Sequence, residues 1–215
     1  MRRVTLSRTD RFITGMDRVL RTLWGNPQGT ERPNPAGHSH HEHTLSEDER
    51  RKSGRLMRVN FAGEVAAQAL YHGQGMLARD ASVAKRMQRA ADEENDHLIW
   101  CRSRLEALEA RPSLLNPFWY LGAFSIGAGA GIIGDAASLG FLEETEAQVV
   151  KHLNRHLNRL PEKDATSRRV LEQMRTDEAQ HGKNARDAGA MRPPTPVRTA
   201  MKFASRVMTG TAYWI

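Results

Sequence analysis

Two short tetrads constrain this chain more than any other feature: Glu94-Asn95-Asp96-His97 and Glu178-Ala179-Gln180-His181. On an α-helix, positions i and i+3 share a face, so each tetrad presents a carboxylate and an imidazole to one point in space. A single Glu-x-x-His is common by chance. Two of them, in helical stretches of similar length, point to a bundle in which facing helices build a di-metal site, with one further Glu from each of two other helices. The rest of the chain agrees with a helical reading. Aromatic residues make up only 6%, Ala, Leu, Arg and Glu recur throughout, and no alternating strand pattern is found. The expected fold class is all-α, a four-helix bundle with additional N- and C-terminal helices.

Punctuation residues divide the chain. Residues 1–25 have Met16, Val19, Leu20 and Leu23 at helical spacing after a possible cap at Asp10, and read as an N-terminal amphipathic helix. Residues 26–45 are rich in Gly, Pro, Asn and His, including His38, His40, His41 and His43, and read as a solvated, flexible linker. Ser46 with Glu49 forms a capping-box pattern that opens a bundle domain over residues 46–190. Within it, two helices meet near Arg79–Ser82, Pro112 and Pro117 interrupt, and a third stretch runs from about Phe118 to Leu160. A fourth runs from about Asp164 to Ala188, before the break at Arg192-Pro193-Pro194-Thr195-Pro196. Residues 191–215 form a basic, apolar C-terminal segment.

Helical phase narrows the two lone glutamates. Glu64 lies in line with Asn60, Phe61, Ala67, Gln68 and Tyr71, away from a charged face. On the third stretch Glu143, Glu144 and Glu146 compete. Glu144 shares a face with Gln148 and Lys151 that looks solvated, and Glu143 is intermediate. Glu146 interrupts an apolar stripe of Leu139, Leu142, Val149, Val150 and Leu153, so it is the choice. Spacing agrees: Glu64 precedes Glu94 by 30 residues and Glu146 precedes Glu178 by 32, as in a repeated helix pair. The candidate metal ligands are therefore Glu64, Glu94, His97, Glu146, Glu178 and His181. Four carboxylates balance two divalent ions, whereas four buried carboxylates without metal would repel one another. Mixed carboxylate and imidazole donors suit iron or manganese. The lone Cys101 excludes a disulfide framework or a Cys-ligated zinc or iron–sulfur site within one chain.

At these residues the sequence resembles the demethoxyubiquinol hydroxylase family of ubiquinone biosynthesis, which is ferritin-like. The resemblance runs from about Leu56 to the C-terminus. It is carried by Arg58-Val59-Asn60-Phe61-Ala62-Gly63-Glu64, Tyr71-His72-Gly73-Gln74, the two Glu-x-x-His tetrads and the glycine-rich stretch after Pro117-Phe118-Trp119. Carried over by position, the family's ligands fall on the same six residues. Phe61 departs from the pattern, since a His is usual there. The resemblance implies two iron ions, O2 as co-substrate, NADH as a possible electron donor, and hydroxylation of a polyprenylated benzoquinol ring. It also implies further ubiquinone-biosynthesis partners or a homo-oligomer.

Charge and apolar patterning bear on where such a substrate is met. The net charge is +7 and the isoelectric point near 10.1, which fits an anionic partner. The stretch Phe118–Leu142 is long enough to span a bilayer, but a span would pull Glu146 away from the other ligands. Half-buried docking or a core position is preferred. Lys202, Phe203, Arg206, Val207, Tyr213, Trp214 and Ile215 form a basic amphipathic end, so peripheral attachment at the cytoplasmic face of the inner membrane is expected. Gly129-Ala130-Gly131-Ile132-Ile133-Gly134 matches a dinucleotide-binding pattern, yet no strand precedes it, so the small residues are read as serving close helix contact or a greasy substrate. Three other readings compete. A tRNA hydroxylase would use the basic charge but leave the apolar stretch without purpose, and no nucleic acid is expected. Iron storage or peroxide handling fits neither the single Cys nor the greasy segment. A non-catalytic quinone or lipid carrier would leave the site unfilled.

Overall fold

The computed structural model describes residues 7–25, 27–30, 32–37 and 45–215. Among these residues the chain is entirely helical: α1 Arg8–Leu23, α2 Glu47–Leu77, α3 Ala81–Ala107, α4 Asn116–Ile133, α5 Asp135–Leu157, α6 Ala165–Asp187 and α7 Thr195–Ala212. The start signals act as expected. The Ser46 hydroxyl accepts from the Glu49 amide while the Glu49 carboxylate accepts from the Ser46 amide, closing the capping box of α2. In α1 the cap is Ser7, and Asp10 is the reciprocal partner three residues on, not the cap itself.

The stretch expected as one helix from Phe118 to Leu160 is two. It breaks at Gly134, whose φ of 138° is open to glycine and strained for other residues. Asp135 holds the break: its carboxylate accepts from the Arg79 and Asp80 amides at 3.0 and 2.8 Å, tying α5 to the loop between α2 and α3. The result is a ferritin-like bundle in which α2, α3, α5 and α6 form the ligand-bearing core and α4 lies along α2.

The glycines of the dinucleotide-like pattern each have a separate reason. A Cβ on Gly131 would sit 2.9 Å from the Cβ of Leu77, Gly134 makes the break, and Gly129 faces open space. Closer still are Gly73 of α2 and Gly127 of α4. A Cβ there would come within 2.4 Å of the Phe124 carbonyl and 2.3 Å of the Leu70 carbonyl, so the two helix backbones touch.

The main core gathers Leu56, Phe61, Val65, Leu98, Leu105, Leu153, Leu171 and Met174 from all four ligand helices. Phe61 is fully buried in it, with the Arg102 guanidinium 5.2 Å above its ring, so this position packs and carries no titrating side chain. Within the expected linker, residues 27–30 and 32–37 alternate between exposed and buried positions. Pro27 and Ala36 are buried, and the Thr30 amide donates to Asp96 of α3 at 2.7 Å. His38, His40, His41 and His43 lie outside the described residues. No helix among the described residues is long and apolar enough to cross a membrane.

Candidate metal centre

Each ligand helix delivers its residues from one inward face. Glu64 comes from α2, Glu94 and His97 from α3, Glu146 from α5, and Glu178 with His181 from α6; all six are buried. They converge as two overlapping sets able to hold metal. Glu64, Glu94, His97 and Glu178 form one and Glu94, Glu146, Glu178 and His181 the other, with the donor atoms of each set within 4.8 Å of one another. Glu94 and Glu178 belong to both. The Nδ1 of His97 lies 3.0 Å from Glu94 and 3.1 Å from Glu178, and the Nδ1 of His181 lies 3.1 Å from Glu178 and 3.3 Å from Glu94.

The outward ring nitrogens are held crosswise. His97 Nε2 donates to Asp177 at 2.9 Å, and His181 Nε2 donates to Glu93 at 2.7 Å. Asp177 and Glu93 each precede the glutamate of the opposite tetrad. The acidic doublets Glu93-Glu94 and Asp177-Glu178 were the available sequence signal for this pairing. The Tyr71 hydroxyl donates to Glu146, a contact that Tyr71's burial and its position two turns after Glu64 make possible. Glu146 is thus the third ligand helix's inward acid. Glu143 instead pairs with Arg186 at the surface. Glu144 pairs with Arg198 at 2.8 Å and with Gln148, so its face is covered by α7 and is not the solvated face expected.

Electrostatics fit a site built for cations. Burial pushes the Glu64 and Glu146 carboxyls well up, and the charges of Glu94 and Glu178 push the same way. Burial also disfavours charge on Glu94, but the two imidazoles beside it pull its carboxyl well below the usual range. Burial opposes charge on His97 and His181, yet the surrounding carboxylates outweigh it and raise both well above an ordinary histidine. One oxygen each of Glu64 and Glu94 is buried with no hydrogen bond. Protons on two imidazoles and unpartnered carboxylate oxygens are what two divalent ions would replace. Uptake of two such ions at pH 7 is therefore expected to expel protons from the imidazoles and the raised carboxyls, read by a pH electrode in weakly buffered solution, and affinity should fall as pH falls. Uptake without proton release would contradict this charge assignment.

A helical bundle with a buried, two-fold set of paired carboxylates and histidines defines a ferritin-like protein with a site able to hold metal. The profile of the family described as Ubiquinone biosynthesis protein COQ7 matches residues 51–212, and the chain belongs to that family. It is similar to the 3-demethoxyubiquinol 3-hydroxylase of Nitrosococcus oceani, with 55% identity covering 98% of each chain. Proteins of the same name from Ralstonia pickettii and Cupriavidus necator are 52% and 54% identical, over 96% of this chain and 99% and 100% of their own.

Proposed function

We propose that this chain is an O2-dependent hydroxylase carrying two iron ions, which hydroxylates the ring of a polyprenylated demethoxy-benzoquinol in ubiquinone biosynthesis. The observation that carries this reading is the pair of overlapping ligand sets sharing Glu94 and Glu178. It stands in a chain more than half identical to proteins named 3-demethoxyubiquinol 3-hydroxylase along nearly its whole length. Carboxylate and imidazole donors without a thiolate suit ferrous ions, and four carboxylates offset two divalent charges. When bound, the iron pair supplies the reduction of O2 with two electrons from a reductant such as NADH, one oxygen atom entering the ring and the other leaving as water.

The chain's own residues do the positioning. Glu94 and Glu178, which would serve both metal ions, belong to both sets. Glu64 with His97 completes one, and Glu146 with His181 completes the other. Tyr71 fixes the rotation of Glu146, while Asp177 and Glu93 fix the two imidazoles. Burial of His97, Trp100 and Met174 keeps bulk water from this side of the centre. The test is a strain lacking its own hydroxylase. Expression of this chain is expected to convert the accumulated demethoxy precursor to the downstream quinone, and an unchanged quinone profile would refute the assignment.

A polyprenyl tail resides in a bilayer, so the enzyme meets its substrate at a membrane surface, at the cytoplasmic face of the inner membrane. We assign residues 46–190 to catalysis and residues 191–215 to membrane contact. In α7 and the residues after it, Phe203, Val207, Trp214 and Ile215 are exposed together with Lys202 and Arg206. On α4, Phe118, Leu121, Ile126, Ile132 and Ile133 are exposed as well. A protein that buried these only for stability would not leave them in water. Replacing Phe203 and Trp214 together by Glu is expected to lower co-sedimentation with anionic lipid vesicles by about tenfold or more, given the apolar area each loses. Undiminished co-sedimentation would remove α7 from the membrane assignment.

A further inference from the structure

Among the described residues that precede the bundle, Arg32 reaches the His97 side of the candidate metal centre. Residues 27–30 and 32–37 run across α3. The Thr30 amide and hydroxyl both donate to Asp96, and the Asn95 side chain donates to the Gln28 carbonyl at 2.8 Å. Gly29 lies so close that a Cβ on it would be 2.3 Å from Asp96 Oδ1. This places Arg32 between two acids: its Nε donates to Asp96 at 2.7 Å and its terminal nitrogen to Asp177 at 2.9 Å. The same Asp177 oxygen accepts from His97 Nε2. The Arg32 guanidinium also lies 5.1 Å from the centre of the Trp100 ring, which in turn lies 5.3 Å from the His97 ring at a tilt of 47°. Arg32 therefore bears on His97 by two routes, one through a carboxylate and one through an aromatic ring.

The other imidazole lacks this support. Glu93, which holds His181, is paired with Arg89 at 3.1 Å, one turn earlier on its own helix, and the Arg89 side chain is 83% exposed. An exposed pair one turn apart on a helix contributes little. By contrast, Asp96 is 3% exposed and Asp177 13%, with the Arg32 side chain at 32%, so the contacts of Arg32 are less open to water and salt than the Arg89 pair.

We infer that Arg32 is a positioning residue for the metal position built on His97, held in place by a strap of residues 27–30 and 32–37, and that the two metal positions are unequal because, among the described residues, only the His97 position has such a strap. The inference rests on reading the cluster as a metal centre. It goes beyond that reading by giving function to residues that precede the part matched by the family profile, which begins at residue 51.

Cobalt(II) titration of the full-length metal-free protein, followed by visible absorption, tests it. Wild-type protein is expected to take up two equivalents. In Arg32→Gln one equivalent should weaken by about 10- to 100-fold with an altered cobalt spectrum, the range for lost partners of metal-bound histidines. The other equivalent should stay as in wild type. Arg32→Lys, which keeps the charge but cannot bridge both acids, should fall between. Arg89→Gln should change either equivalent by less than about threefold. Gly29→Leu displaces the strap by a clash with Asp96 and Ile99 of α3 while leaving the Arg32 side chain unaltered, and should reproduce the selective loss. Two wild-type equivalents in Arg32→Gln and Gly29→Leu, or an equal weakening of both equivalents, would overturn the inference while leaving the metal centre standing. A wild-type chain that takes up no cobalt would remove the metal reading itself.

Discussion

Glu178→Ala is expected to strip both metal equivalents from the protein and abolish hydroxylation, whereas Glu64→Ala should cost one equivalent chiefly. The difference follows from membership. Glu178 and Glu94 stand in both four-residue sets, while Glu64 and Glu146 stand in one each. Removing Glu178 also takes from both Nδ1 atoms a carboxylate that lies 3.1 Å away. Loss of partners outside the ligand set already costs about 10- to 100-fold in metal affinity, so a shared ligand should exceed the upper figure at each position. Metal analysis after anaerobic loading with ferrous iron, together with product analysis, checks both variants. If Glu178→Ala retained one full equivalent, the shared role would be wrong, and Glu178 would be a terminal ligand.

The second large effect is expected from Gly127→Val, which should destabilise the protein by about 3 kcal/mol or more, above the usual range for overpacking because backbone has to move. Its Cβ would meet the carbonyl oxygen of Leu70 at 2.3 Å and the Leu70 Cα at 3.1 Å, and neither can swing away as a side-chain tip would. Only separation of α4 from α2 relieves the clash. Leu70 is followed by Tyr71, which holds Glu146, and by His72, whose Nδ1 meets the Tyr120 hydroxyl at 2.9 Å across the same helix pair. The damage should therefore reach the site, lowering metal content as well as the unfolding midpoint. Gly122→Val on the exposed side of α4, with nothing within 4 Å of the added Cβ, is the control. Helix propensity alone predicts a change within about 1 kcal/mol there. Chemical denaturation of the two variants side by side separates a close helix crossing from a general effect of adding bulk to α4.

The features that can be read along the chain are those that short-range geometry dictates. The i to i+3 repeat of a helix puts Glu94 beside His97 and Glu178 beside His181 whatever surrounds them. Helical phase marked Glu146 because an acid inside an otherwise apolar stripe must face the core. The Ser46 and Glu49 box needs only three residues of local chain. The features that escaped are those set by residues far apart in the sequence. A glycine inside a helix is tolerated at a cost of about 1 kcal/mol, so Gly134 alone does not announce a break. The decision is made by Asp135 binding backbone amides at residues 79 and 80. Glu144 looked solvated because nothing local reveals that Arg198 of α7 returns to cover it. The crosswise hold of Asp177 on His97 spans 80 residues, and that of Arg32 on Asp177 spans 145. Only the folded bundle brings those partners within hydrogen-bond range, because periodicity along one helix carries no information about which other helix it will face. The six residues that the fold gathers into two buried, overlapping sets were legible in the chain. The unequal support around them was decided by the tertiary structure.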